Sequence, residues 1–162
     1  MKMEFTLKAA AVAVLAMVLP QMPARAQWVT PPPAASTIPT AQLVQAQQLS
    51  QLLHAAAAQR PLILQVGSRL MYNEAHIPGS EYAGPGALAQ GLDLLRTRVQ
   101  SLPHNRFIVL YCGCCPWSHC PNVGPAYKLL HDMGFTRVKV LYLADNFGAD
   151  WVNKGLPVER GQ

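Results

Sequence analysis

Arg106–Asn122 reads RFIVLYCGCCPWSHCPN, an apolar run rich in branched residues that passes directly into a loop holding all four cysteines of the chain. The run is short, and a polar residue precedes it, as in a strand buried on both faces of a sheet. The loop therefore begins at the carboxyl end of a predicted central strand, with Cys112 its first residue.

The segments on either side repeat the theme. LILQV (Leu62–Val66) and VKVLYL (Val138–Leu143) are further short apolar runs that read as strands. Helical spacing lies between them. Leu43, Leu49, Leu52 and Leu53 fall on or near one face of a helix predicted from an N-cap at Thr40 to about Gln59, ended by Pro61. Leu88, Leu92, Leu95 and Val99 mark a second helix over Ala87–Leu102, in which Gly91 is a weak point. Pro125 suits the first turn of a third, running to Met133 and stopped by Gly134. Strands alternating with helices predict an α/β fold with a largely parallel sheet flanked by helices. Ligands of such sheets gather at the carboxyl ends of the strands, where Cys112 stands.

The amino terminus has a different character. Lys2 and Lys8 precede the apolar run Ala9–Leu19, and Ala24-Arg25-Ala26 has the small-x-small pattern of a signal-peptidase site. The run has 11 residues, whereas a membrane span needs about twenty. The expectation is a signal peptide over 1–26 cleaved after Ala26, a Pro-rich leader over 27–39 and one domain over 40–162. That organisation predicts a periplasmic or secreted protein with no membrane anchor after cleavage. The 162 residues carry 13 Lys and Arg against 8 Asp and Glu, a net +5. The predicted signal contributes +2 of this (Lys2, Lys8 and Arg25 against Glu4), leaving +3. The remaining cations are scattered and form no basic stripe interleaved with aromatics, so nucleic acid is not an expected partner.

Export sharpens the reading of the cysteines, because an oxidising compartment favours disulfides. Four cysteines in one loop close only tiny rings, however, and such rings add little to fold stability. Three uses of the loop remain. Cys112 and Cys115 form a C-x-x-C pair, with Cys120 and Cys114 further thiols for exchange chemistry. Alternatively, a Cys112–Cys120 or Cys115–Cys120 bridge shapes the loop passively. As a third alternative, Cys112, Cys115, His119 and Cys120 offer soft ligands to copper(I) or zinc, although their spacing matches no common zinc pattern. The leading expectation is no cofactor. Gly113 removes bulk beside the first sulfur, and Pro116, Trp117, Ser118 and His119 complete the loop. Trp117 is a candidate apolar wall, and His119 an acid, a ligand or a plain polar residue.

Taken in order, four segments resemble the rhodanese-like domain family. PLILQVGSRLMYNEAHIPGS resembles its opening strand followed by H-I-P-G-A, with Val66 and His76 at the family's spacing. IVLYC resembles the strand that delivers the persulfide-forming cysteine, GFTRVKVL the next helix end and strand, and DWVNKGLPVERG the ending W-x-x-x-G-x-P-V. The resemblance implies a rhodanese-like fold and a sulfurtransferase in which catalytic Cys112 takes a sulfane sulfur as a persulfide and passes it on. Cys115 or Cys120 would then be placed to resolve that persulfide, with Cys114 auxiliary, and a small sulfur donor, a thiol acceptor and a periplasmic thiol reductant are the partners this implies. Loop amides aimed at Cys112 are expected to favour its thiolate. The chain also departs from the family. Gln65 and Gly67 stand at the Asp and Arg of the usual D-V-R, Trp117 at the loop's usual Arg, and the Cys112–Gly134 interval is about five residues longer than in the usual single-domain members, so thiosulfate recognition does not carry over. A non-enzymatic thiol-rich module, binding metal or a thiol partner through the Cys112–Cys120 loop, is the alternative function.

Overall fold

The computed structural model describes residues 38–161; the predicted signal peptide and all but the last two residues of the leader lie outside them. The elements run β1 (Leu43–Val44), α1 (Ala46–Leu53), β2 (Leu62–Gln65), α2 (Arg69–Glu74), β3 (Glu81–Tyr82), α3 (Ala89–Val99), β4 (Ile108–Tyr111), α4 (Val123–Asp132), β5 (Val138–Leu141) and α5 (Phe147–Asp150). The five strands form one sheet in the order β1-β5-β4-β2-β3, and every pairing is parallel. The α/β architecture expected from the sequence is the one observed. No helix among the described residues is long and apolar enough to cross a membrane.

β4 lies at the centre, with Ile108–Tyr111 matched to Leu62–Gln65 on one side and Ile108–Leu110 to Val138–Val140 on the other. All four of its residues are buried, as its unbroken apolar run requires. The two-residue period of a strand then divides the core. Ile108 and Leu110 join Leu95, Val99, Ala126 and Leu130 beneath α3 and α4. Val109 and Tyr111 join Leu49, Phe147 and Trp151 on the opposite face. Cys112 continues the alternation into the α3 and α4 layer. Each large apolar side chain so buried contributes about 1.5–3 kcal/mol of transfer free energy, before the entropy of ordering it.

The predicted first helix is the main correction. Thr40–Gln42 forms a 3₁₀ turn and Leu43–Val44 becomes an edge strand, paired at Leu43 with Val140 and at Val44 with Leu141. α1 starts only after Gln45, whose backbone N–H donates to the Gln48 side chain in a reciprocal capping box. It stops at Leu53 rather than at Pro61, and Ala57–Gln59 makes a separate 3₁₀ turn. Sheet pairing outweighs helical propensity at the first end. At the second, the alanine run offers no large side chain to bury.

The chain ending closes the same end of the sheet. Trp151 is fully buried, stacks on Phe147 with centroids 5.9 Å apart and donates from Nε1 to the Pro157 carbonyl at 2.8 Å. His76 and Glu159 pair as an isolated antiparallel bridge, their N–H groups each donating to the other's carbonyl at 2.9 Å. The HIPG segment and the W-x-x-x-G-x-P-V ending are thus one joint, and His76 serves it structurally.

Candidate active site

The loop after β4 carries four unbridged thiols. Cys112 is buried at the strand end, and the next residue reverses the chain: Gly113 has φ +80°, and a Cβ there would lie 2.7 Å from that of Phe147. Both the angle and the space exclude a side chain. The reversal brings Cys114 Sγ to 2.9 Å from Cys112 Sγ, and Cys115 Sγ lies 3.5 Å from Cys114 Sγ. Two contacts with the loop after β5 hold the turn: Phe147 N–H donates to the Gly113 carbonyl, and Trp117 N–H to that of Ala144, both at 3.0 Å. That second loop is itself braced by Asp150, a buried carboxylate accepting from the N–H groups of Asp145 at 2.7 Å and Asn146 at 3.2 Å.

Two further residues surround the sulfurs. Gly67 faces Cys112 so closely that a Cβ would stand 2.9 Å from its Sγ and 3.0 Å from its carbonyl oxygen. Asn122 is buried, and its Nδ2 donates to Cys112 Sγ at 3.3 Å and Cys114 Sγ at 3.7 Å. Its Oδ1 accepts from Ala87 N–H at 3.0 Å, which fixes which end of the amide faces the sulfurs. Gln65, also buried, donates to the Cys112 carbonyl and accepts from Gly67 N–H, both at 3.1 Å. The neutral amide thus ties the ends of β2 and β4 together without placing a charge beside the thiols.

Proton sharing within the loop differs from the expectation that backbone amides single out Cys112. Its thiol donates to Cys114 and Cys120 and is buried, so its pKa is pushed far above the ordinary range, against the pull of the Cys114 amide. The Cys112 hydrogen bond draws Cys114 down to about 6 despite burial. Cys120 is also drawn to about 6, by Cys112 first, with the amides of Val123 and Asn122 assisting against burial. Burial, then the charge on Cys120 and its neighbour Cys114, lifts Cys115 to about 12. The pool releases its first proton easily and keeps the last ones.

The remaining loop residues have plainer surroundings. Trp117 packs on Tyr142 at 5.3 Å and lines a void of about 10 Å³ with Cys112, Cys115 and Cys120. Pro116, Ser118 and His119 are exposed, and His119 Nδ1 lies 2.8 Å from Ser118 Oγ. The sulfurs gathered within 4.8 Å of one another are those of Cys112, Cys114 and Cys115. Of the ligands expected from sequence, His119 and Cys120 lie outside this trio. On the other face of the sheet, a cavity of about 130 Å³ reaches Cys112 and Gly113 between Met71, Ala75, Phe147 and Val152, with Glu74 its charged residue.

The pattern of the rhodanese-like domain matches residues 45–143. The chain belongs to the rhodanese-like domain family. The Alr3790 protein of Anabaena sp. is similar in its crystal structure, at 28% identity over 72% of this chain and 82% of that one, TM-score 0.55. The solution structure of the rhodanese-like domain of Alr3790 agrees, at 27% identity over 74% and 79%, TM-score 0.55. BH2092 of Bacillus halodurans, 22% identical over 72% and 75% with TM-score 0.54, shares the fold. No curated protein matches the chain. Membership supports a sulfurtransferase kind of function. Against this rhodanese-like frame, Asn122 is the functional residue that sequence reasoning missed. Its signal, an asparagine just before a helix, reads as an ordinary N-cap, yet its side chain caps nothing and turns to the sulfurs.

Proposed function

We infer that the protein is an exported sulfurtransferase that carries a persulfide on Cys112. The observation that supports this most is the position of Cys112, buried at the carboxyl end of the central strand of a rhodanese-like sheet with a second thiol 2.9 Å away. A persulfide-forming cysteine must lose its proton as it attacks. Cys114, held low enough to be ionised at neutral pH, is the base in contact with it. Cys112 attacks the outer sulfur of a small persulfide donor, its proton passes to Cys114, and the departing thiolate takes that proton up. The product is a Cys112 persulfide beside a Cys114 thiolate, ready for a thiol acceptor. No resident cofactor enters the cycle, and a thiol reductant of the exported compartment keeps the loop reduced.

Intact-mass analysis of the full chain after treatment with glutathione persulfide tests the assignment. One added sulfur atom on Cys114→Ser, given time to load without its base, and absent from Cys112→Ser is the expected result; undiminished sulfur uptake by Cys112→Ser would sink it.

A second reading is favoured by the sulfur trio. Three thiols within 4.8 Å of one another suit a soft cation such as copper(I), for which thiolates are preferred ligands. Native mass spectrometry with copper(I) decides this: one ion per chain, lost in Cys114→Ser and kept in His119→Ala, is expected of the trio.

A further inference from the structure

We propose that Cys114 is the resolving thiol of this loop, displacing sulfide from a persulfide on Cys112 and leaving a Cys112–Cys114 disulfide for a dithiol to reduce. The domain would then convert sulfane sulfur to sulfide with a thiol as electron source, an activity beyond sulfur relay. The proposal rests on the persulfide reading above.

Three observations single out Cys114 from Cys115 and Cys120, the resolving candidates expected from sequence. The first is geometric. Cys114 Sγ lies 2.9 Å from Cys112 Sγ, the inner sulfur of any persulfide formed there, and attack on that atom expels the outer one. The left-handed turn at Gly113 produces this approach, so it belongs to the backbone and does not depend on a side-chain rotamer alone. Secondly, the Asn122 amide donates to both sulfurs, the pair that would become the bridge. Thirdly, Cys114 is half-buried, as Cys115 is, whereas Cys112 and Cys120 are both buried, so a reductant can reach a bridge through Cys114 but not one between Cys112 and Cys120.

The step balances within the loop. The Cys114 thiolate supplies the electron pair of the new Sγ–Sγ bond, and the bond from Cys112 Sγ to the outer sulfur breaks with its pair leaving on hydrosulfide. A dithiol then opens the bridge by exchange, restores both thiols and becomes a disulfide itself. A bridge between residues only two apart closes a tight ring, and strained disulfides are the reducible ones.

The full chain, fully reduced and freed of reductant, is mixed with one equivalent of glutathione persulfide; released sulfide is trapped and the loop is mapped by peptide mass. The wild type should lose two hydrogens at a Cys112–Cys114 bridge and release sulfide. Cys114→Ser, which lacks the base and is given longer to load, should retain the sulfur on Cys112, with the sulfide released per sulfur loaded reduced about tenfold or more. A wild-type bridge from Cys112 to Cys115 or Cys120, or an undiminished burst from Cys114→Ser, overturns the proposal. So does a stable Cys112 persulfide without a bridge in the wild type, which leaves the persulfide reading intact. Sulfur absent from Cys112 in the wild type, with no bridge formed, and in Cys114→Ser overturns both.

Discussion

Two loops leave the carboxyl ends of adjacent strands and are held in opposite ways. The loop after β2 is closed by neutral hydrogen bonds: Tyr72 Oη donates to the Ser80 carbonyl at 2.5 Å, and Ile77 N–H donates to Tyr111 Oη at 3.3 Å. Ser80 Oγ lies 3.2 Å from the same Oη, and His76 stacks on Tyr72 with centroids 4.0 Å apart. The loop after β4 instead places sulfur against sulfur, with a backbone clamp to the β5 loop and one amide, Asn122, reaching the thiols. The first arrangement has one satisfied state. The second holds thiols that release their protons at very different pH, about 6 for Cys114 and Cys120 and about 12 for Cys115. A sulfur-handling site needs both: a wall that does not move and a cluster that can change covalent state beside it.

The contact between the two loops is where that contrast should break most readily. Gly67→Val forces a side chain into the space held by Cys112 Sγ, and overpacking of this kind is expected to destabilise the fold by about 2–3 kcal/mol. A lowered urea midpoint together with disturbed thiol labelling would register it; an unchanged midpoint would show that the strand ends can part. Tyr111→Phe tests the stiff loop alone. Its loss leaves the Ile77 N–H without its acceptor, for an expected cost of about 1–2 kcal/mol in the same measurement, with the pH profile of Cys114 labelling retained.

Asn122 tests the soft loop. Asn122→Ala removes the donor to two sulfurs, and the midpoint of Cys114 alkylation should move up by about half a pH unit; Asn122→Asp, which adds a negative charge, should move it up by about one. A profile that stays put in both would show that the amide does not tune the thiols. Both shifts are read against the wild type itself. A thiol lowered to about 6 stays ionised as pH falls towards 6 and is protonated below it. Cys114 alkylation should therefore persist through neutrality and drop below about pH 6, whereas an ordinary thiol already loses reactivity below about 8.5.

Much of the frame was legible because its signals are local. The runs at Leu62, Ile108 and Val138 became strands, and Pro125 and Gly134 bracket α4 nearly as the residues suggest. β1 was not legible, since two residues gain strand character only from pairing with β5. Within the site, Cys112 was identifiable from its place after a buried run. Its nearest partner was not. C-x-x-C spacing points to Cys115, whereas the φ of Gly113 selects Cys114. Gln65 and Gly67 were visible as departures from D-V-R, but their meaning lies in distances to a residue 45 or more positions away.

The approach of Gly67 to Cys112 also bears on how such a loop is inherited or engineered. Residues 112–122 cannot be moved alone into a relative that keeps a long side chain at the position of Gly67, because that side chain and the thiol would claim one volume. Nor would they seat without the turn at Gly86, where a Cβ would stand 2.2 Å from the Asn122 carbonyl oxygen and whose neighbour Ala87 supplies the Asn122 anchor. The transplantable unit is three separated segments, Gln65–Gly67, Gly86–Ala87 and Cys112–Asn122. A graft designed from the cysteine motif alone would carry the reactive atoms and leave behind the space that holds them.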